Sequence, residues 1–315
     1  MNKLLAATIS GILALSCLPN AAQAEVLMIE GLTPARAPEF AEIQTIAIDD
    51  FGGSDGRALA FELEDRLAAI SVFDQPYFDV IGGRSAVDSD ASLSGNVTAG
   101  IEEYETVAKR RRCVKRGEKD KCLSYKDIEV DCLSRTIDFR AQVRATRFRD
   151  GRSIYSESFP DKNEQTVCFG DDEEFASSEA VIRSMVSGAA SAIRNDLAPS
   201  EYRFEVRILE SRKGMSKAES NFFKAAIKMT KSDPAEACRM WDEAAQNGLV
   251  HLSLAFNRGL CAEQRGDLDS ALAHYDEALS LSPGKSEVAL SITRVSAHQR
   301  ALDEWELRQS VGSGG

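Results

Sequence analysis

Residues 136–160 read TIDFRAQVRATRFRDGRSIYSESFP, and they decide the fold of the first part of the chain. Over residues 137–146 apolar and polar side chains alternate, and the apolar set is Ile137, Phe139, Ala141, Val143 and Ala145. A period of two predicts a strand with one buried and one polar face. Asp150-Gly151 is a strong turn signal, so residues 153–159 are expected to return as an antiparallel partner strand.

Shorter strand and helix patterns surround this hairpin. Residues 45–48 and 77–81 read as strands, and apolar residues recur at helical spacing between them. After the hairpin, a second apolar helical face runs from Phe175 to Leu197. Four acidic residues at 171–174 precede it, and their charge suits the positive end of a helix dipole. These patterns predict a mixed α/β sheet domain with long antiparallel hairpins over residues 25–209.

Short pieces of this domain resemble the curli-production assembly and transport component family. They resemble more loosely the small periplasmic α/β domains of lipoprotein activators of cell-wall synthases. The matching pieces lie at 46–51, 56–60, 78–81, 93–97 and 139–155. The resemblance implies a periplasmic α/β fold and a place in an envelope secretion or cell-wall machine. The curli family forms its pore with a lipidated N-terminus and membrane-crossing hairpins. Residues 101–128 here are too charged to face lipid, so a channel of that kind is not expected.

After a charged linker at residues 210–214, the chain becomes helical and repeats itself every 34 residues. The spacing of small and aromatic residues resembles the tetratricopeptide repeat (TPR) family, in which small residues let paired helices approach and an aromatic residue fills the gap. The positions that carry this resemblance are Ala237, Trp241, Ala244, Gly259, Ala271, Tyr275, Ala278 and Pro283. We expect an all-α TPR-like domain over 215–308, including a capping helix from 286 to 307, and a flexible tail at 309–315. The whole chain is therefore predicted to be of the α+β class.

Residues 1–24 have the pattern of a secretory signal peptide. A short basic start precedes an apolar run, and Ala22-Gln23-Ala24 is a small-x-small cleavage site. We therefore expect export to the periplasm, with cleavage after Ala24. The alternative is an outer-membrane lipoprotein in which Cys17 carries the lipid, although the residues before it depart from the usual lipobox.

Cleavage leaves six cysteines, and an even number favours disulfides in an exported chain. Counted outward from the Asp150-Gly151 turn, Cys132 and Cys168 face each other to within one residue, so a bulge would let them bond. The other pairs follow from a second hairpin tip and from neighbouring helices of the repeats. A zinc site made from the first four of these cysteines is the alternative, although the C-x2-C spacing of zinc knuckles is absent. The expected disulfides are Cys113–Cys122, Cys132–Cys168 and Cys238–Cys261.

The chain has 38 basic and 50 acidic residues, a formal net charge of −12, which disfavours nucleic-acid binding. Against this background, residues 109–121 hold eight bases and only two acids. On a disulfide-stapled hairpin tip, such a cluster can contact an anionic membrane, a polyanionic glycan or an acidic protein. The alternative is a solvated tip that binds nothing specific. The candidate partner-binding residues are Lys109, Arg110, Arg111, Arg112, Lys115, Arg116, Lys119 and Lys121.

The sequence contains no recognisable catalytic motif. All three histidines lie in the predicted repeats, and neither G-x-S-x-G nor H-E-x-x-H occurs. TPR arrays hold partner proteins on a concave face. We therefore expect a non-enzymatic protein-binding or assembly adaptor of the bacterial cell envelope, without a cofactor or a bound metal. The alternatives are an accessory subunit of an outer-membrane secretion or cell-wall synthesis machine, and a hydrolase with an unrecognised carboxylate site. The sequence leaves the oligomeric state open.

Overall fold

The computed structural model describes residues 25–82 and 89–312. The predicted signal peptide, with Cys17, and the last three residues of the predicted tail lie outside these ranges. Two compact units make up the described chain. Residues 30–203 and 290–312 form one, here called the sheet unit, and residues 25–29 and 204–289 form the other, here called the repeat unit. Within the described ranges, no helix is long and apolar enough to cross a membrane.

The predicted α+β class is confirmed by a strand-rich first part and a run of helices at the end. The strands are β1 (Val26–Thr33), β2 (Thr45–Gly52), β3 (Ser71–Val72), β4 (Gln75–Pro76), β5 (Asp79–Gly82), β6 (Ala91–Arg116), β7 (Cys122–Arg147), β8 (Ser153–Cys168) and β9 (Ser200–Arg207). The α-helices are α1 (Gly56–Ala68), α2 (Ser178–Leu197), α3 (Lys217–Met229), α4 (Pro234–Gln246), α5 (Leu252–Gln264), α6 (Leu268–Leu281) and α7 (Ser286–Gly312).

A five-stranded mixed sheet, in the order β5-β2-β6-β7-β8, organises the sheet unit. β2 runs parallel to both of its neighbours, whereas β6, β7 and β8 are antiparallel. One face of the sheet is apolar and packs against α1 and α2 through residues such as Leu63 and Ile193, which are fully buried. The opposite face carries the polar half of the alternating pattern, so the sheet has one covered and one polar side.

β7 and β8 form the hairpin expected from residues 136–160, but the loop is wider than a two-residue turn. β7 ends at Arg147 and β8 begins at Ser153. The Asp150 carboxylate holds the wider loop, because it accepts hydrogen bonds from the Arg147 guanidinium at 2.6 Å and from the Arg152 backbone N–H at 3.2 Å. A register shift next to Ala145 brings the two strands back into step.

The helix after this hairpin begins later than the acidic residues suggested. α2 starts at Ser178, so residues 171–174 do not form its first turn. Phe175 also lies outside the helix, and its ring packs 4.3 Å from the guanidinium carbon of Arg135 on β7. Asp171 binds arginines of β6 instead of charging a helix end.

The described residues contain three disulfides. Cys132 and Cys168 lie directly opposite each other on β7 and β8. The remaining two bonds close the tip of the β6–β7 hairpin and join α4 to α5 in the repeat unit. The bonded pairs are Cys113–Cys122, Cys132–Cys168 and Cys238–Cys261. All six candidate zinc or disulfide cysteines are therefore occupied by sulfur–sulfur bonds.

Two helical hairpins, α3–α4 and α5–α6, form the repeat unit, and the next helix departs from the expected boundary. The helix expected at residues 286–307 is present as α7, and it continues to Gly312 through the first residues of the predicted tail. From Leu290 onward this helix belongs to the sheet unit. The apolar face of α7 explains this assignment, because Ala301 is fully buried and Trp305 packs against the core of the sheet unit.

Candidate protein-interaction site

The basic cluster of the sequence lies on a two-stranded ribbon, defined here as residues 107–131. β8 ends at Cys168, opposite Cys132, and beyond this disulfide β6 and β7 continue as a hairpin without a third strand. The Cys113–Cys122 bond closes the outer end of the ribbon. A single 3-10 turn at Glu118–Asp120 reverses the chain. The ribbon is thus fixed covalently at both ends.

Alternation along β6 divides the basic cluster between two faces, because successive side chains of a strand point to opposite sides. Lys109 lies opposite Glu129 of β7, and Arg111 lies opposite Asp127. The Arg111 guanidinium also lies 5.4 Å from the centre of the Tyr125 ring. Both bases on this face therefore have a carboxylate directly across the ribbon.

Arg110 and Arg112 lie on the other face, where they bind the loop that follows β8. The Arg112 guanidinium donates to the Asp171 carboxylate at 2.5 Å and to the carbonyl oxygen of Phe169 at 2.9 Å. Arg110 lies 3.6 Å from the same carboxylate. The hydrogen bond from Arg112 holds the pKa of Asp171 below its usual value. These two arginines therefore anchor the base of the ribbon.

The remaining four members of the cluster surround the tip, and all are exposed: Lys115, Arg116, Lys119 and Lys121. Arg116 is 3.4 Å from Asp120. The ribbon as a whole holds nine bases and five acids, so it stays positive in a chain of net charge −12. The tip therefore presents exposed cations such as Lys115, Lys119 and Lys121.

The predicted repeat scaffold lies in the core of the repeat unit. Trp241 and Tyr275, the two aromatic positions of the repeat, are fully buried. Gly259 lets α5 approach α6 closely, because a Cβ at this position would lie 2.4 Å from the Tyr275 ring. The Tyr275 hydroxyl donates to the buried Glu263 carboxylate at 2.6 Å. The small positions Ala237, Ala244, Ala271 and Ala278 are buried as well, whereas Pro283 is exposed in the turn before α7.

One face of α5 binds segments of the chain itself, an arrangement that the sequence did not reveal. The Asn257 side-chain amide accepts from the Leu209 N–H at 2.8 Å and donates to the Leu209 carbonyl at 3.0 Å. His251 accepts from the Ser253 N–H through Nδ1 at 3.0 Å, which leaves its Nε2–H to donate to the Lys213 carbonyl at 3.2 Å. The backbone at Leu209, and at Lys213 in the expected linker, is therefore held by Asn257 and His251. The only sequence signal for this was an Asn in an otherwise apolar helix face.

One segment of the chain matches a known protein family. Residues 253–285 match the tetratricopeptide repeat family. This segment covers α5, α6 and the turn to α7, so the repeat unit contains a TPR repeat. Repeats of this kind generally mediate protein–protein interactions. No curated protein matches the chain.

Several solved structures are similar to about half of the chain. A PelC dodecamer from Paraburkholderia phytofirmans is 12% identical, with 54% of this chain and 96% of that chain covered and a TM-score of 0.25. A minor lipoprotein from Acinetobacter baumannii is 11% identical, with 49% and 90% covered and a TM-score of 0.23. A putative neuraminyllactose-binding hemagglutinin homolog from Helicobacter pylori is 11% identical, with 53% and 88% covered and a TM-score of 0.27.

Proposed function

We propose that this protein is a non-enzymatic, exported adaptor that holds protein partners in the bacterial cell envelope. The observation that carries the proposal is the TPR repeat at residues 253–285, an architecture whose common use is to present a surface to other proteins. Three disulfides support export, because such bonds form and persist in oxidising compartments. The signal-peptide pattern of residues 1–24 supports the periplasm.

The α5 face that binds Leu209 and Lys213 is already occupied by the chain. The partner surface that we propose therefore uses the exposed sides of other helices, such as α3 around Lys224 and α6 around Asp276. The ribbon tip is the second proposed contact. Its exposed cations suit an anionic surface, whether the headgroups of a membrane or an acidic glycan. The resemblance to the curli-production component family favours a secretion or assembly machine as the setting.

Site-specific photo-crosslinking in the native envelope tests the adaptor. A crosslinking residue would replace Lys224 on α3 or Lys119 at the ribbon tip, and Arg152 in the β7–β8 loop would serve as an exposed control. We expect a discrete protein adduct from position 224 that is absent at position 152. Tip adducts that disappear in high salt would support the anionic contact, since surface charge interactions are screened.

Two results would overturn the proposal. The first is the absence of any position-specific adduct from the repeat helices. The second is turnover of a cell-wall or ester substrate by the purified mature protein that is lost when a single carboxylate is replaced. The second result would show an enzyme.

A further inference from the structure

The edge of β6 that faces away from β7 is unpaired over most of its length. β6 pairs with β2 only as far as Asn96. From Val97 to Arg116 the described chain supplies no strand to this edge. Val107, which lies within one residue of the midpoint of this stretch, is 59% exposed. An unpaired edge of this length offers a row of backbone donors and acceptors to another strand.

The charges along this edge have opposite signs on the two sides of Val107. Three acids, Glu102, Glu103 and Glu105, precede it, and four consecutive bases at 109–112 follow it. Neither Glu105 nor Lys109 has an ion-pair partner among the residues that the structure describes. The charges of this edge are therefore complementary to those of a second, antiparallel copy of the same edge.

We infer that the β6 edge pairs antiparallel with the same edge of a second copy of this chain, around a two-fold axis at Val107. Each residue then faces the residue equally far from Val107 on the partner strand. Glu105 faces Lys109, Glu103 faces Arg111 and Glu102 faces Arg112. Since a two-fold interface is isologous, every contact away from the axis occurs twice. The two sheets join into one through the ribbon edges.

The register follows from two independent features. A shift of one or two residues in either direction leaves at least one of the three acids opposite an uncharged residue. The unpaired edge itself runs from Val97 to Arg116, just before the turn, so its centre lies within one residue of Val107, and Thr98 faces Arg116 in the same register. The charge pattern therefore selects the axis at Val107, and the length of the free edge agrees with it to within one residue.

Neighbouring strands extend the charge alternation. Arg135 of β7 binds Glu103 at 2.6 Å, and Asp127 lies opposite Arg111. In the pair, the row across four strands reads Arg135, Glu103, then Arg111 and Asp127 of the other copy, so opposite signs alternate throughout. Opposite-charge neighbours on one face stabilise a sheet, whereas like charges destabilise it. The exposed Val107 side chain packs against its own symmetry mate.

Sedimentation equilibrium of the oxidised mature protein tests the dimer. We expect a dimer for the natural sequence. Glu105→Lys alone and Lys109→Glu alone are each expected to weaken dimerisation about tenfold or more, because each places two like-charge contacts in the interface. Glu243→Lys, which changes an exposed acid on α4, is the matched control and is expected to dimerise normally.

Restoration experiments separate pairing from misfolding. A mixture of the Glu105→Lys and Lys109→Glu proteins is expected to give a heterodimer, and one chain that carries both changes is expected to form a homodimer again. Both outcomes require Glu105 and Lys109 to meet across the interface. A monomeric natural protein, a larger assembly, or a failure of the mixture to associate would overturn the inference.

Discussion

The guanidinium carbon of Arg308, near the end of α7, lies 4.0 Å from the centre of the Tyr77 ring. Arg308 is only 3% exposed, and its guanidinium donates to the carbonyl oxygen of Ile43 at 2.5 Å. Its own carbonyl accepts from the Gln44 side-chain amide at 3.0 Å. The last turns of α7 are therefore held in the sheet unit by a buried cation that combines ring stacking with backbone hydrogen bonds.

Replacement of Arg308 by Met is expected to destabilise the sheet unit. The change keeps an apolar stem but leaves the buried Ile43 carbonyl without its donor, and we expect a loss of about 3 kcal/mol in the free energy of unfolding. Urea unfolding followed by tryptophan fluorescence measures it, because Trp305 lies on the same helix. Arg300→Met, at an exposed position of α7, should change stability by less than about 0.5 kcal/mol. Equal effects at both positions would contradict the anchoring role of Arg308.

Tyr77 makes the stability of the sheet unit sensitive to alkaline pH. Burial raises the pKa of its phenol from 10.0 to about 12, against the opposing effect of Arg308. Because the folded state favours the neutral phenol, this contribution is complete below pH 10 and is lost as the pH rises towards 12. The contribution of Tyr77 is isolated when the free energy of unfolding of the natural protein and of Tyr77→Phe is compared across this pH range. We expect the natural protein to lose more stability than the variant, and parallel curves would refute the assignment.

Of the two disulfides in the β6–β7–β8 hairpins, one is expected to stabilise the whole sheet unit and the other only the tip of the ribbon. Cys132–Cys168 closes a long loop, with 36 residues of separation, and both cysteines are buried. Paired Cys→Ser changes there should lower the free energy of unfolding by about 4 kcal/mol on the chain-entropy model. Cys113–Cys122 lies on the exposed ribbon. Its removal should speed amide exchange near the tip while global stability changes by less than about 1 kcal/mol. Chemical denaturation and hydrogen exchange distinguish the two effects.

Sequence patterns were sufficient for the hairpin core, which follows from local periodicity, and for the cysteine pairs, which follow from the hairpin turns and the 34-residue repeat. The alternation from Ile137 to Ala145 corresponds to a buried face, and Cys132 and Cys168 are in register through a shift at Ala145. The 34-residue offset likewise located the helices around Tyr275. These features depend on neighbours in sequence or on one turn, which a single chain reveals.

Long-range contacts could not be predicted in the same way. The bases at 109–112 formed one cluster in sequence, but strand alternation separates them, and Asp171, far along the chain, binds two of them. The helix after residue 286 has a pattern that suits a repeat cap equally well. Its assignment to the sheet unit rests on contacts of Trp305 and Arg308 with Tyr77, and no local pattern specifies these.

Asn257 is expected to hold the segment around Leu209, before α3, in place. It is fully buried and supplies both a donor and an acceptor to Leu209. Asn257→Asp keeps the shape but replaces the donor by an acceptor that repels the Leu209 carbonyl, and we expect a loss of about 2 to 3 kcal/mol. Gln264→Glu is the matched change on the same helix, at an exposed side chain with one hydrogen bond to Met28, and should cost less. Amide exchange at Leu209 reports the effect directly, and unchanged protection in Asn257→Asp would contradict it.

Gly259 provides the sharpest test of the packing between α5 and α6. An added Cβ would lie 2.4 Å from the Tyr275 ring, and that ring is fixed by the hydrogen bond of its hydroxyl to Glu263. Gly259→Ala should therefore destabilise the repeat unit by about 1 to 3 kcal/mol, even though alanine favours helices by about 1 kcal/mol over glycine. Gly188→Ala in α2, where nothing lies within 4 Å of the new methyl group, should instead stabilise the protein by about 0.5 to 1 kcal/mol. Thermal unfolding of both variants compares the same substitution in two helices. Opposite signs are expected, and stabilisation by Gly259→Ala would mean that the two helices do not require this close approach.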